Sequence, residues 1–108
     1  MENRIHITVD KDWGSTGIWC KVDSSWGNAK YEDFPIPNWL IDRFNYWCDW
    51  YDSHIFKKLD FEESEWTRLE AYKLSLAIDL RRVLDSSYVI YIWDEELNGR
   101  VEITNLYS

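Results

Sequence analysis

The chain opens on a two-residue alternation. In "RIHITVD", apolar Ile5, Ile7 and Val9 alternate with polar Arg4, His6 and Thr8. A period of two places successive side chains on opposite faces of a half-buried strand. "KDWGSTG" then supplies turn residues. "TGIWCKV" alternates again, with Ile18, Cys20 and Val22 on one face and Trp19 and Lys21 on the other. The two segments predict a hairpin. "DSSWGNAKYEDFPIP" reads as a loop, broken by Gly27, Pro35 and Pro37.

From 37 to 56 the period changes. Leu40, Phe44, Trp47, Tyr51 and Ile55 recur at three- and four-residue steps, which is one stripe of a helix. Asp60 with Glu63 reads as a capping box opening a second helix. Its buried stripe is Trp66, Leu69, Leu76, Leu80 and Val83, with Ala77 between. Arg81 and Arg82 fall near its end, where cations suit the helix dipole. "YVIYIW" is rich in β-formers and too short for a helix. Asn98 followed by Gly99 is a hairpin signal. Taken as a two-residue loop, it pairs Leu97 with Arg100 and Trp93 with Thr104. Ile90, Ile92, Val101 and Ile103 then share one face, and Tyr91, Trp93, Glu95, Glu102 and Thr104 the other. The predicted fold is a single α+β domain over residues 1–108, in ββααββ order. It is a two-layer sandwich, with two helices packed on one face of a mostly antiparallel four-stranded sheet.

Composition adds a puzzle. At 108 residues and 45% hydrophobic, the chain can build a core, but 18% of it is aromatic, with eight Trp and seven Tyr. The net charge is −8. Such a field repels nucleic acid and anionic lipid and draws in basic partners. Two cysteines, Cys20 and Cys48, are too few for a disulfide scaffold. They are expected as reduced thiols, with one disulfide as the alternative. "MENRIHITVD" lacks a signal-peptide pattern, and no apolar run approaches the ~20 residues of a membrane span. The expectation is a soluble cytoplasmic domain.

The rings need a place. In "NYWCDWYDSH", aromatic and acidic residues follow one another so closely that they must fall on both sides of a helix. Leu40, Phe44, Trp47 and Tyr51 face the sheet. Trp39, Tyr46 and Trp50 form a neighbouring stripe beside Asp42 and Asp49. That stripe either packs on the second helix or makes a surface where rings give contact and carboxylates select the partner. The uncovered sheet face poses the same choice. It would carry Trp19, Tyr91 and Trp93 with His6, Thr8, Lys21 and Glu102. Either the 23–37 loop folds Trp26, Tyr31 and Phe34 over them, or the rings stay open within an acidic rim. The residues selected for partner contact are Trp19, Trp26, Tyr31, Glu32, Asp33, Tyr91, Trp93, Asp94, Glu95 and Glu96. A homodimer could use the same face.

Catalytic chemistry finds little support. Neither His6 nor His54 pairs with a cysteine at metal-ligand spacing. Cys48 has Trp and Asp neighbours, and acidic surroundings blunt a thiol. Asp49/Asp52, Glu62/Glu63 and Asp94/Glu95/Glu96 are carboxylate pairs of the kind glycosidases use, but solvated acidic faces look the same in sequence. The four glycines form no phosphate loop. No enzyme, cofactor or metal is therefore expected.

Several short patterns carry a resemblance. They are "GIWC" on the early strand, "EDFPIPNWLIDRFNYWCDWYD" leading into the first helix, "EESEW" opening the second, and "VIYIWDEELNGRVEI" at the end. In this arrangement the chain resembles small acidic bacterial immunity proteins of contact-dependent growth inhibition and polymorphic toxin systems. Pro37 and Asn38 depart from the Ser-then-acid start usual for such a helix. The resemblance implies a cytoplasmic inhibitor that binds a cognate toxin domain. A nuclease toxin would need a basic cleft, which an acidic, ring-bearing protein fits. The alternative is a carbohydrate-binding or other small non-catalytic binding domain, since rings beside Asp, Asn and Glu also suit sugars.

Overall fold

The computed structural model describes residues 4–57 and 60–104; the ends of the predicted 1–108 domain lie outside them. In chain order the elements are β1 (Ile5–Val9), β2 (Ile18–Val22), β3 (Ser25–Asn28), a 3-10 turn (Tyr31–Asp33), α1 (Asn38–Phe56), α2 (Glu63–Val83), β4 (Tyr88–Asp94) and β5 (Gly99–Ile103). The strands form one sheet in the order β3-β2-β1-β4-β5. β1 and β4 run parallel at its centre, and every other neighbouring pair is antiparallel. The molecule is α+β, with two helices and a five-stranded mixed sheet. The predicted four-stranded sheet in ββααββ order is corrected by one strand.

That strand, β3, folds out of the predicted loop. Asp23 turns the chain in the left-handed region at φ +56°. Residues 25–28 then pair with β2, Lys21 opposite Trp26. Ser-Trp-Gly-Asn has one large side chain and no alternation of its own. Hydrogen bonding to the edge of β2, rather than β-propensity, makes it a strand.

Two boundaries also move. α1 starts after Pro37, whose fixed φ suits a helix entry, so the predicted span holds to one residue. α2 opens later than predicted. Its capping residue is Glu62, whose N–H donates to Glu65 at 3.0 Å, not Asp60 with Glu63. The β4–β5 turn is longer too. Residues 95–98 form it, so Trp93 pairs with Arg100 and Ile90 with Ile103. Asn98 takes the left-handed conformation at φ +50°, and the Asp94 carboxylate accepts the Leu97 N–H at 3.0 Å. The shift from the predicted register is an even number of residues, so every side chain stays on its predicted face.

The core lies between the helices and one sheet face. Leu40, Phe44 and Trp47 of α1 and Leu69, Leu76, Ala77 and Leu80 of α2 meet Ile7, Val9, Ile18, Ile90 and Ile103. Gly17 permits this packing. Its φ is +85°, and a Cβ there would lie 2.7 Å from the Trp47 ring. Among the described residues, no helix is long and apolar enough to cross a membrane.

Candidate protein-binding surface

Strand register places the rings of the uncovered face. Thr8 stands opposite Trp19 and beside Tyr91, Lys21 opposite Trp26, and Trp93 opposite Arg100. All of them project away from the helices. The rings brace one another. Tyr91 lies parallel to His6, with its hydroxyl 2.8 Å from Nδ1, and Trp26 meets Tyr91 edge-on at 6.0 Å. Trp19 donates its indole N–H to the Asp10 carbonyl at 3.0 Å. Trp19, Trp26, Tyr91 and Trp93 are all half-buried.

Of the rings in the 23–37 segment, Trp26 alone lies on this face, two positions before Asn28 opposite Trp19. Tyr31 belongs to the opposite layer: its ring packs on Phe44, and its hydroxyl donates to the Thr16 carbonyl at 2.7 Å. Phe34 packs edge-on to Tyr88, whose position in β4 also faces the helices. Of the two alternatives for this face, a mini-core of Trp26, Tyr31 and Phe34 over it does not form, because Tyr31 and Phe34 pack in the helix layer. Glu32 and Asp33 are exposed in the 3-10 turn beyond β3, at one edge of the sheet. Asp94, Glu95 and Glu96 lie at the opposite side, where β4 turns into β5. The two acidic groups do not form one rim.

The second group joins a larger acidic end. The parallel strands β1 and β4 both finish there, β1 just before Asp10 and β4 at Asp94. Lys73 of α2 is only 3% exposed and reaches this end from below. Its ammonium donates to the Trp93 carbonyl and to Glu70, both at 2.7 Å, and to Asp10 at 3.4 Å. Burial raises the Asp10 carboxyl above its ordinary range, and Lys73 only partly offsets this. Lys11 pairs with Asp52 at 3.0 Å and lies over the Tyr51 ring at 5.1 Å. The two lysines are therefore neutralised internally, and Asp12, Glu95 and Glu96 remain outward as surplus negative charge.

Rings flank these carboxylates. Trp66 at the start of α2 is 45% exposed and Trp13 in the β1–β2 loop 53%. Between Trp66 and Trp93 runs a groove of about 470 Å³, floored by Ile92 and edged by Glu70, Glu95 and Glu96. Trp93 also borders the depression on the open face that holds Trp19, Trp26 and Arg100. The open sheet face and the acidic end form one continuous surface.

Sequence reasoning missed three members of it. Trp66 was assigned to the buried stripe, but the first turn of α2 overhangs the sheet. Trp13 stands in a polar turn with no core to enter, which is itself a signal of exposure. Lys73 occupies the gap between Leu69 and Leu76, a stripe position where a cation needs partners underneath.

The second stripe of α1 is mostly structural. Phe61 stacks on His54 at 4.9 Å and 11° and on Tyr51 at 5.5 Å and 23°, and it touches Trp50 and Trp66. Tyr46 leans on Tyr72, which also carries the Arg43 guanidinium. Trp39 and Tyr46 of that stripe remain exposed, and Trp50 is half-buried.

Neither the thiols nor His54 is arranged for catalysis. Cys20 and Cys48 are free thiols. Burial pushes the Cys48 thiol up to about 11, so a thiolate is disfavoured at neutral pH. His54 bonds Glu65 at 2.8 Å. Among the described residues, no three His, Cys, Asp or Glu converge as a metal site would require. In comparison with known proteins, neither a family model nor a curated protein matches this chain.

Proposed function

We propose that this chain is an immunity-type inhibitor that binds a basic bacterial toxin domain, a nuclease by preference, through direct protein contact. One observation carries the proposal: half-exposed and exposed indoles run without a break into a carboxylate-rich end in a protein of net charge −8. Rings supply the area that holds a complex, and surplus charge speeds its encounter with a positive surface. The resemblance of the short sequence patterns to immunity proteins points the same way.

The direct test is co-expression with the toxin domain encoded in the reading frame just upstream. Survival of the cells, together with a complex that withstands moderate salt, is the expected result. Dying cells or separate proteins would end the proposal.

A sugar-binding role is favoured by the depression lined by Trp19, Trp26 and Trp93 beside Thr8 and Asp10. It is weakened by Arg100, whose guanidinium carbon lies 4.0 Å from the Trp26 ring centre, where a sugar would stack. Tryptophan emission that shifts on titration with a panel of soluble glycans would restore it.

A further inference from the structure

Arg100 is set among the rings of the open face, which also carries Lys21 opposite Trp26. Its guanidinium carbon lies 4.0 Å from the Trp26 ring centre and 5.4 Å from that of Trp93. Its Nε donates to the Thr8 hydroxyl at 2.9 Å. Thr8 sits on the central strand and is 1% exposed, so that anchor does not move. Trp26 is itself braced by Tyr91, and Tyr91 by His6. The arginine is thus fixed at Nε and covered by two indoles.

What remains is the edge formed by its two terminal nitrogens. Arginine carries five N–H donors, and here only Nε has a partner among the described residues. Among the described residues no carboxylate pairs with Arg100, in a chain with 20 acidic residues against 12 basic ones. Lys11, Arg43 and Lys73, by contrast, each hold an acid of this chain. A guanidinium edge already held in place matches the two oxygens of a planar carboxylate and loses little freedom on binding it.

We propose that Arg100 is the receptor for one carboxylate of a protein partner, an Asp or Glu side chain on a segment lying across the open sheet face. The partner is taken to be a protein on the strength of the function proposed above. Charge decides among oxyanions. The depression around Arg100 holds Asp10, Asp12 and Lys11, the last paired with Asp52, and Glu102 follows two positions on in β5; the carboxylates repel a phosphate or a polyanion more strongly than a singly charged carboxylate. Beside an acidic end that attracts basic proteins, a guanidinium held between two indoles requires an acid at one place on the partner. Such a sign inversion fixes orientation and rejects basic surfaces that lack the acid.

The test uses the whole protein and a displayed library of short random peptides. Peptides are selected on the wild-type protein, then remade with each Asp or Glu as its amide. Selected peptides should contain an acidic residue, and the amide form should bind about tenfold more weakly. Arg100→Lys keeps the charge but loses the paired geometry, so it should shrink that difference severalfold while melting within a few degrees of wild type. Arg100→Gln removes the charge and should erase the difference. Selection of peptides without an acid, an acid-to-amide difference that persists in folded Arg100→Gln, or stronger competition by inorganic phosphate than by acetate would each overturn the proposal. No toxin enters this assay, so its outcome is separable from that of the co-expression experiment.

Discussion

Replacing Lys73 by Met isolates what the buried ammonium does. Methionine keeps nearly the same length and volume, so the packing beneath the acidic end survives. Asp10, Glu70 and the Trp93 carbonyl lose their shared donor. Breaking a fully buried ion pair costs about 3–5 kcal/mol. Here the Asp10 and Glu70 side chains are 31% and 43% exposed, so water recovers part of the loss. About 2 kcal/mol of destabilisation remains, close to one charge-assisted hydrogen bond. Lys73→Ala also removes about three buried methylenes at ~0.8 kcal/mol each, for a total of about 4 kcal/mol. The melting temperature of the Met variant should then fall by about 10 °C. Acidity supplies an internal control. Burial raises the Asp10 pKa in the folded state, so its contribution to stability is complete below the unfolded carboxylate's pKa. That contribution is lost as pH rises through the folded value. Without Lys73, which lowers it, the folded value rises further. The deficit of Lys73→Met is therefore largest near neutral pH and shrinks on acidification. Urea unfolding followed by tryptophan emission at neutral and mildly acidic pH measures both quantities. A Met variant as stable as wild type at neutral pH, or a deficit unchanged by acid, would refute the reasoning.

Gly17→Ala should destabilise by about 3 kcal/mol, from left-handed backbone strain and the contact with Trp47, and urea midpoints would register it. Trp66→Ala should cost the fold about 1 kcal/mol or less, its ring being nearly half exposed, yet weaken a toxin complex severalfold by calorimetry. Glu95→Lys with Glu96→Lys should slow association, most at low salt, in stopped-flow mixing. A rate indifferent to salt would remove the electrostatic half of the proposal.

The legible parts of the fold were those with repeated spacing. α1 was read to within one residue because its stripe is long and Pro37 marks its entry. The faces of β4 and β5 were right for the same reason, since alternation survives an even shift. The register was not, because Asn98 and Gly99 suit two turns: a two-residue loop, or the end of a four-residue one, as found. "DFEESE" likewise offers two overlapping acid pairs at capping distance. The bond from His54 to Glu65, which no local pattern reveals, favours the later one. β3 and the parallel pairing of β1 with β4 depend on neighbours distant in sequence. Of the selected surface residues, Trp19, Trp26, Tyr91 and Trp93 do gather on the open face. Tyr31 does not, because the path of the chain after β3, invisible in composition, carries it to the other layer.

The side-by-side course of β1 and β4 has a consequence for how the chain is made. As it leaves the ribosome, β1 can join its hairpin partner almost at once, but its other flank waits until residues 88–92 have emerged. During that interval Ile7 and Val9 sit on a strand with an open edge, and the nascent chain must be kept from pairing with its neighbours. Synthesis speed and chaperone supply should therefore govern its yield more than the stability of the finished protein does.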